Sequence, residues 1–266
     1  MAKIARLQLS DGSVRYARYR GDGTFELIEG DVFDEWLPTG QVVSGDQVRL
    51  LAPVSPPNII AIGLNYRRHA QESGMALPER PVIFLKATTA VCGPEDSIVL
   101  PKIAPNEVDY ECELAIIIGK KARHVSEEEA LDYVWGYTCS NDVSARDCQL
   151  RLDAQWARAK SFDTFAPLGP WVETEIKDPD NLAIRTILNG QVMQDSNTND
   201  MIFSCRELVS FISQCMTLLP GTVIMTGTPS GVGFARKPPV FLRPGDVVEI
   251  EIEGIGTLRN QVVAEA

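Results

Sequence analysis

Two glutamates, Glu111 and Glu113, stand inside VDYECELAIIIG, a run otherwise apolar enough for a strand in a protein interior. Side chains two apart on a strand share a face, roughly 7 Å apart along the chain. Any fold that uses this strand must therefore set two carboxylates side by side against its core. Half-buried like charges either shift their pKa values strongly or are neutralised by something positive between them. A bound cation is the simplest such group. The competing arrangement is an edge strand with both glutamates facing water.

Asp142 supplies a third carboxylate. It follows the strand-like GYTCSN and precedes SARDCQLRL, a position where a side chain has rigid support. Its separation from Glu113 accommodates a helix and a return strand, which brings it alongside the glutamates. Three carboxylates without histidine select a hard cation, and three protein oxygens leave about three octahedral positions open, as Mg²⁺ or Mn²⁺ prefers. Alternatively, Asp142 only caps a helix.

The rest of the chain reads as β-rich. IARLQLSDGSVRYARYRGDGTFELIEG carries Asp11-Gly12 and Asp22-Gly23, both hairpin signals. This predicts a small N-terminal β domain over residues 1–55, and the Pro-rich APVSPPN marks a boundary near residues 52–58. Residues 56–266 form the second domain. There IIAIGL and PVIFLKATTAV read as strands, and NYRRHAQESG as a short helix closed by Gly74. SEEEALDYVW reads as a surface helix capped by Ser126, SARDCQLRL as a capping box from Ser144 to Asp147, RELVSFISQCMTL as a helix, and PGDVVEIEIEGIGTLRNQVV as a hairpin. The fold class is mixed α+β, without the βαβ alternation of Rossmann or TIM architectures.

A net charge of −11 argues against nucleic acid and anionic membrane as partners. An anionic substrate would need local cations to overcome that sign. No apolar stretch approaches the roughly 18 residues of a membrane span, and MAKIARLQLSDGS lacks the plan of a signal peptide, so a cytoplasmic protein is expected. The six cysteines show no CxxC pair and read as buried thiols, and His69 and His124 are too few for a polyhistidine zinc site.

Three further features bear on chemistry. His69 and Glu72 lie three apart on the short helix, where a carboxylate can hold an imidazole in one tautomer. Lys160 sits in ARAKSFDTFAPLGP, away from any charged face. VIMTGTPSGVG is a strand feeding a Gly-rich turn whose N–H groups and hydroxyls, Thr228 included, could cradle a carboxylate or phosphate. The Walker GK[ST] ending is absent.

Taken in order, GLNYRRHAQESG, PVIFLK, VDYECELAIIIGK, GYTCSNDVSARDCQ, KSFDTFAPLGPW, VIMTGTPSGVG and LRPGDVVEIEIEGIGTLRN make the chain similar to the fumarylacetoacetate hydrolase family. The resemblance spans nearly all of residues 56–266. It implies a rolled β-sheet catalytic domain, a homodimer, and Mg²⁺, with Mn²⁺ as the alternative, on Glu111, Glu113 and Asp142. It further implies catalytic roles for His69, Glu72 and Lys160 and substrate contacts from Arg146, Gln149 and Thr228. Two local departures, Cys112 where alanine is common and Ala159 where glycine is frequent, touch no ligand position.

The chemistry implied is chelation of a 2-oxo acid and stabilisation of its enolate. Hydrolytic C–C cleavage of an acylpyruvate leads, because a complete His–Glu pair is present to activate water. Decarboxylation of oxaloacetate and isomerisation of an unsaturated 2-hydroxy-dicarboxylate share the same electron sink. A reading of another class is a scaffold or binding protein with a structural Ca²⁺ site.

Overall fold

Alternation in the N-terminal fifty residues becomes an antiparallel meander of Lys3–Gln8, Val14–Tyr19, Thr24–Gly30 and Trp36–Ser44. It is seen in a computed structural model that describes residues 2–266. Both Asp-Gly pairs make the turns. Asp22 Oδ1 accepts the Thr24 N–H at 3.0 Å, and Gly23 takes a φ of +83° that a side chain would resist. Lys3–Gln8 then pairs antiparallel with Ala166–Glu173, so the meander is joined edge-on to the strands that follow the Pro-rich junction.

Beyond that joint the main sheet continues through Val134–Asn141, Cys112–Ile118, Val223–Met225, Ile59–Ile62 and Ile83–Lys86. A second sheet includes Ala183–Leu188, Val247–Ile252 and Gly256–Ala264. The first two of these strands pack across Cys112–Ile118, and Val247–Ile252 also meets Val134–Asn141. The Cys112–Ile118 strand is thus flanked in its own sheet and covered from outside, and every one of its residues is buried. This explains its nearly unbroken apolar run and excludes the edge-strand arrangement.

Two helices form where periodicity places them. Arg67–Glu72 ends at Ser73, with Gly74 at φ +66°, and Cys205–Cys215 starts from a full Ser204–Glu207 capping box. Two local expectations are corrected. In SEEEALDYVW the Ser126 cap does form, its hydroxyl accepting Glu129 N–H at 3.3 Å, but only the 3₁₀ turn Ala130–Tyr133 follows. Strand pairing claims the far end instead: Val134 opens a strand registered on Ile118, and Tyr133 O accepts Gly119 N–H at 2.8 Å. Ser144 does not cap a helix either. It pairs with Asp109 in a two-stranded ladder, and Asp147 caps the π-helical turn Cys148–Leu152 by accepting Cys148 N–H at 2.7 Å.

Candidate active site

Register builds the acidic cluster. Cys112 faces Asn141 across the antiparallel pair, so the residues just outside, Glu111 and Asp142, are opposite one another, and Asp142 N–H donates to Glu111 O at 2.9 Å. Directly opposed side chains stand about 5 Å apart on one face, and Glu113, two residues on, shares that face. The result is three buried carboxylates whose oxygens lie within 4.8 Å of one another.

Buried cations answer most of this charge. Lys160 Nζ donates to Glu111 Oε2 and to Asp142 Oδ2, both at 2.6 Å, from the short helix Ala157–Lys160. Arg146 Nη2 donates to Glu111 Oε1 at 2.7 Å. Lys86, at the end of the PVIFLK strand, is ion-paired with Asp142 Oδ1. Sequence reasoning assigned Lys86 no role; the available signal was one lysine closing an otherwise apolar strand. Burial pushes both ammonium groups toward the neutral form. For Lys160 the flanking Asp142 and Glu111 outweigh burial and hold it above its ordinary value, whereas Lys86, with Asp142 on one side and Lys160 beside it, stays below. Burial also opposes ionisation of Glu111, but Arg146 and Lys160 prevail and hold its carboxyl well below the usual range.

Glu113 is different. Among the described residues its one side-chain hydrogen bond comes from Gly227 N–H at 2.8 Å, and no cationic side chain bonds it. Burial, then the neighbouring Asp142 and Glu111, push its carboxyl well above the ordinary value. A buried carboxylate among like charges, with nearby ammonium groups too weakly placed to offset them, is a suitable ligand for a cation. The donor set, three hard oxygens and no nitrogen or sulfur, fits a divalent ion of the Mg²⁺ or Mn²⁺ type. Asp109, Glu111, Glu113 and Asp142 outnumber Lys86, Arg146 and Lys160 by one. A divalent ion held there would reverse that formal balance and make the site locally positive despite the chain's net −11.

The cluster floors a cleft of about 620 Å³, its open mouth included, which also takes in His69, Arg146, Gln149, Lys160 and Thr228. His69 Nδ1 lies 3.1 Å from Glu72 Oε2, as the spacing predicts. Arg146 Nη1 donates to Gln149 Oε1 at 2.7 Å. Thr228 gives its hydroxyl proton to Cys112 O at 3.0 Å and accepts from Gln194 Nε2 at 2.8 Å, so a buried glutamine that sequence reasoning missed holds it in place. Apolar walls come from Leu64, Met75, Phe84, Leu150, Trp156 and Phe234.

The Gly-rich turn corrects one expectation. Its N–H groups do bind carboxylates, but these are the protein's own: Gly227 holds Glu113, Gly231 holds Glu72 at 3.0 Å and 3.1 Å to its two oxygens, and Gly233 and Phe234 hold Asp109. One loop thus ties the acidic cluster, the His–Glu helix and a fourth acid into a single frame.

Known proteins resemble the chain over nearly its whole length. Residues 58–263 match the family described as fumarylacetoacetate (FAA) hydrolase C-terminal, and residues 2–53 one described as Rv2993c-like, N-terminal. A Dictyostelium discoideum protein named fumarylacetoacetate hydrolase domain-containing protein 2 homolog is 51% identical over 249 residues, 86% of this chain and 81% of that protein. Oxaloacetate tautomerase Fahd2a, mitochondrial, of Rattus norvegicus is 48% identical over 225 residues, 84% of this chain and 72% of the relative. Among solved structures, that of a 5-carboxymethyl-2-hydroxymuconate delta-isomerase from Mycobacterium smegmatis has a TM-score of 0.89 at 45% identity, covering 99% of this chain and 100% of that one.

Proposed function

The chain is an enzyme of the fumarylacetoacetate hydrolase family, and from that premise we propose that it moves a proton on a 2-oxo acid, interconverting keto and enol forms of a 2-oxo dicarboxylate such as oxaloacetate. The observation that carries this reading is the His69–Glu72 pair, joined at 3.1 Å on the cleft floored by the acidic cluster. Glu72 accepts the Nδ1 proton, which leaves the Nε2 lone pair to take a proton from the carbon next to the carbonyl. Glu72 is itself fixed by Gly231 N–H, so the base has a set direction. As the C–H proton passes to His69, the C–H electron pair forms the C=C bond and the carbonyl π pair moves to oxygen; solvent protonates that oxygen to give the enol while His69 returns its proton to solvent, and the reverse path restores the ketone.

A divalent ion on Glu111, Glu113 and Asp142, Mg²⁺ with Mn²⁺ as the alternative, would supply Lewis-acid polarisation of that carbonyl. Lys160 and Arg146 add positive charge beside it, and Gln149 and Thr228 bound the substrate's volume. The names of the rat relative and of the mycobacterial structure both describe rearrangements that consume no water, which supports proton transfer over hydrolysis. Acylpyruvate cleavage is the second reading, favoured by the same His69–Glu72 pair, which can instead deprotonate water.

The working unit proposed is a cytoplasmic homodimer that takes a small anion and neither nucleic acid nor membrane. Among the described residues no helix is long and apolar enough to cross a membrane, and the rat relative's name places that protein in mitochondria. A spectrophotometric panel with Mg²⁺ tests the reaction. Ketonisation of enol-oxaloacetate is expected to outpace cleavage of an acylpyruvate, decarboxylation of oxaloacetate and isomerisation of an unsaturated 2-hydroxy-dicarboxylate. Faster acylpyruvate cleavage would replace this reading with the hydrolytic one.

A further inference from the structure

Asp109 is a fully buried acid beside the cleft that neither the triad nor the dyad uses. Its Oδ1 accepts Gly233 N–H at 2.8 Å and Tyr110 N–H at 2.9 Å; its Oδ2 accepts Phe234 N–H at 3.0 Å and Arg146 Nε–H at 2.9 Å. Four donors converging on two oxygens demand a side chain that only accepts. The same contact gathers an arginine and an aromatic ring, because the Phe234 ring centroid lies 4.4 Å from the Arg146 guanidinium carbon. A β-carbon at Gly233 would collide with Val240 O and crowd Asp109 Oδ1, so glycine lets the loop backbone come this close.

The Arg146 donors can be counted. Nε serves Asp109, one Nη1 hydrogen serves Gln149 and one Nη2 hydrogen serves Glu111. A guanidinium has five N–H groups, so two are left without a partner among the described residues, on a side chain that lines the cleft.

We infer that Asp109 is a positioning residue: by holding Nε and the loop that carries Phe234, it fixes the plane of the Arg146 guanidinium and so the direction of the two N–H groups offered to an anionic substrate. This rests on the reading of Arg146 as an anion-binding side chain in the proposed reaction. A counter-charge that served only to keep a buried arginine folded would show in stability and not selectively in substrate binding.

Asp109→Asn tests it, because an amide turns an NH₂ toward two of the four donors whichever way it flips. The expected result is a KM for oxaloacetate raised about tenfold or more, with kcat and the Mn²⁺ dissociation constant each within about threefold of wild type. In a cycle with Arg146→Ala, the double variant is expected to bind no worse than Arg146→Ala alone, since Asp109 acts through that side chain. Additive losses in the cycle, or lost Mn²⁺ affinity in Asp109→Asn, overturn the inference. If Asp109→Asn does not fold, Asp109→Glu, which keeps the charge and the accepting oxygens but displaces the guanidinium they hold, takes its place, with the same non-additivity expected and additivity again overturning it. Turnover by the wild-type chain tests the proposed function separately. If it turns over no 2-oxo acid, the same cycle is read as Mn²⁺-dependent oxalate affinity.

Discussion

Glu113→Gln is expected to abolish metal-dependent turnover while leaving the fold intact. The amide keeps the volume of the side chain and the oxygen that accepts Gly227 N–H at 2.8 Å. It loses the charge that an ion needs, and with it the repulsion from Asp142 and Glu111 that, after burial, drives the Glu113 carboxyl well above its ordinary value. The two consequences point in opposite directions. Without metal the variant is expected to melt no lower than wild type, because an uncompensated buried charge has gone. Mn²⁺ affinity is expected to fall more than about a hundredfold, since losing a partner one shell further out already costs about 10–100-fold. Calorimetric titration of Mn²⁺ beside a thermal melt measures both. Full activity in this variant would remove the metal mechanism.

His69→Ala is expected to lower kcat by about 10²–10⁴, the range a positioned general base contributes. Mn²⁺ affinity is expected to hold, because the hydrogen-bond partner of His69 is Glu72 and not a member of the triad. The variant also separates the two readings of the reaction. A common loss of ketonisation and of acylpyruvate cleavage assigns both to one base. Cleavage that survives while ketonisation falls means that another group activates water. Unchanged ketonisation would show that the assignment of the dyad is wrong.

How far the site could be read in advance follows from which parts are local. Glu111 and Glu113 are legible because period-two spacing inside an apolar run admits few solutions, and the His69–Glu72 pair because it lies within one helical turn. Asp142 is legible because a strand and its return bring the end of one beside the start of the other, here through the Cys112–Asn141 register. Lys86 carries no such cue, since its partner Asp142 is 56 positions away and its strand reaches the site through two others. Asp109 did carry one, as the third acid in the same alternation with Glu111 and Glu113. Its use depends on Arg146 and on a loop 124 residues further on, which spacing does not encode. The SEEEALDYVW segment shows tertiary pairing overriding a well-formed N-terminal cap, the ordinary way in which local preference loses to a sheet.

The central claim is that Glu111, Glu113 and Asp142 jointly hold one divalent ion and that a keto acid meets it there. Anomalous diffraction from crystals grown with Mn²⁺ and oxalate tests it most directly. The expected result is a single Mn²⁺ peak bonded to one oxygen of each of the three carboxylates, with oxalate completing its coordination on the cleft side. A structure in which the three side chains turn to separate partners, with manganese elsewhere or bound by none of them, would contradict the account.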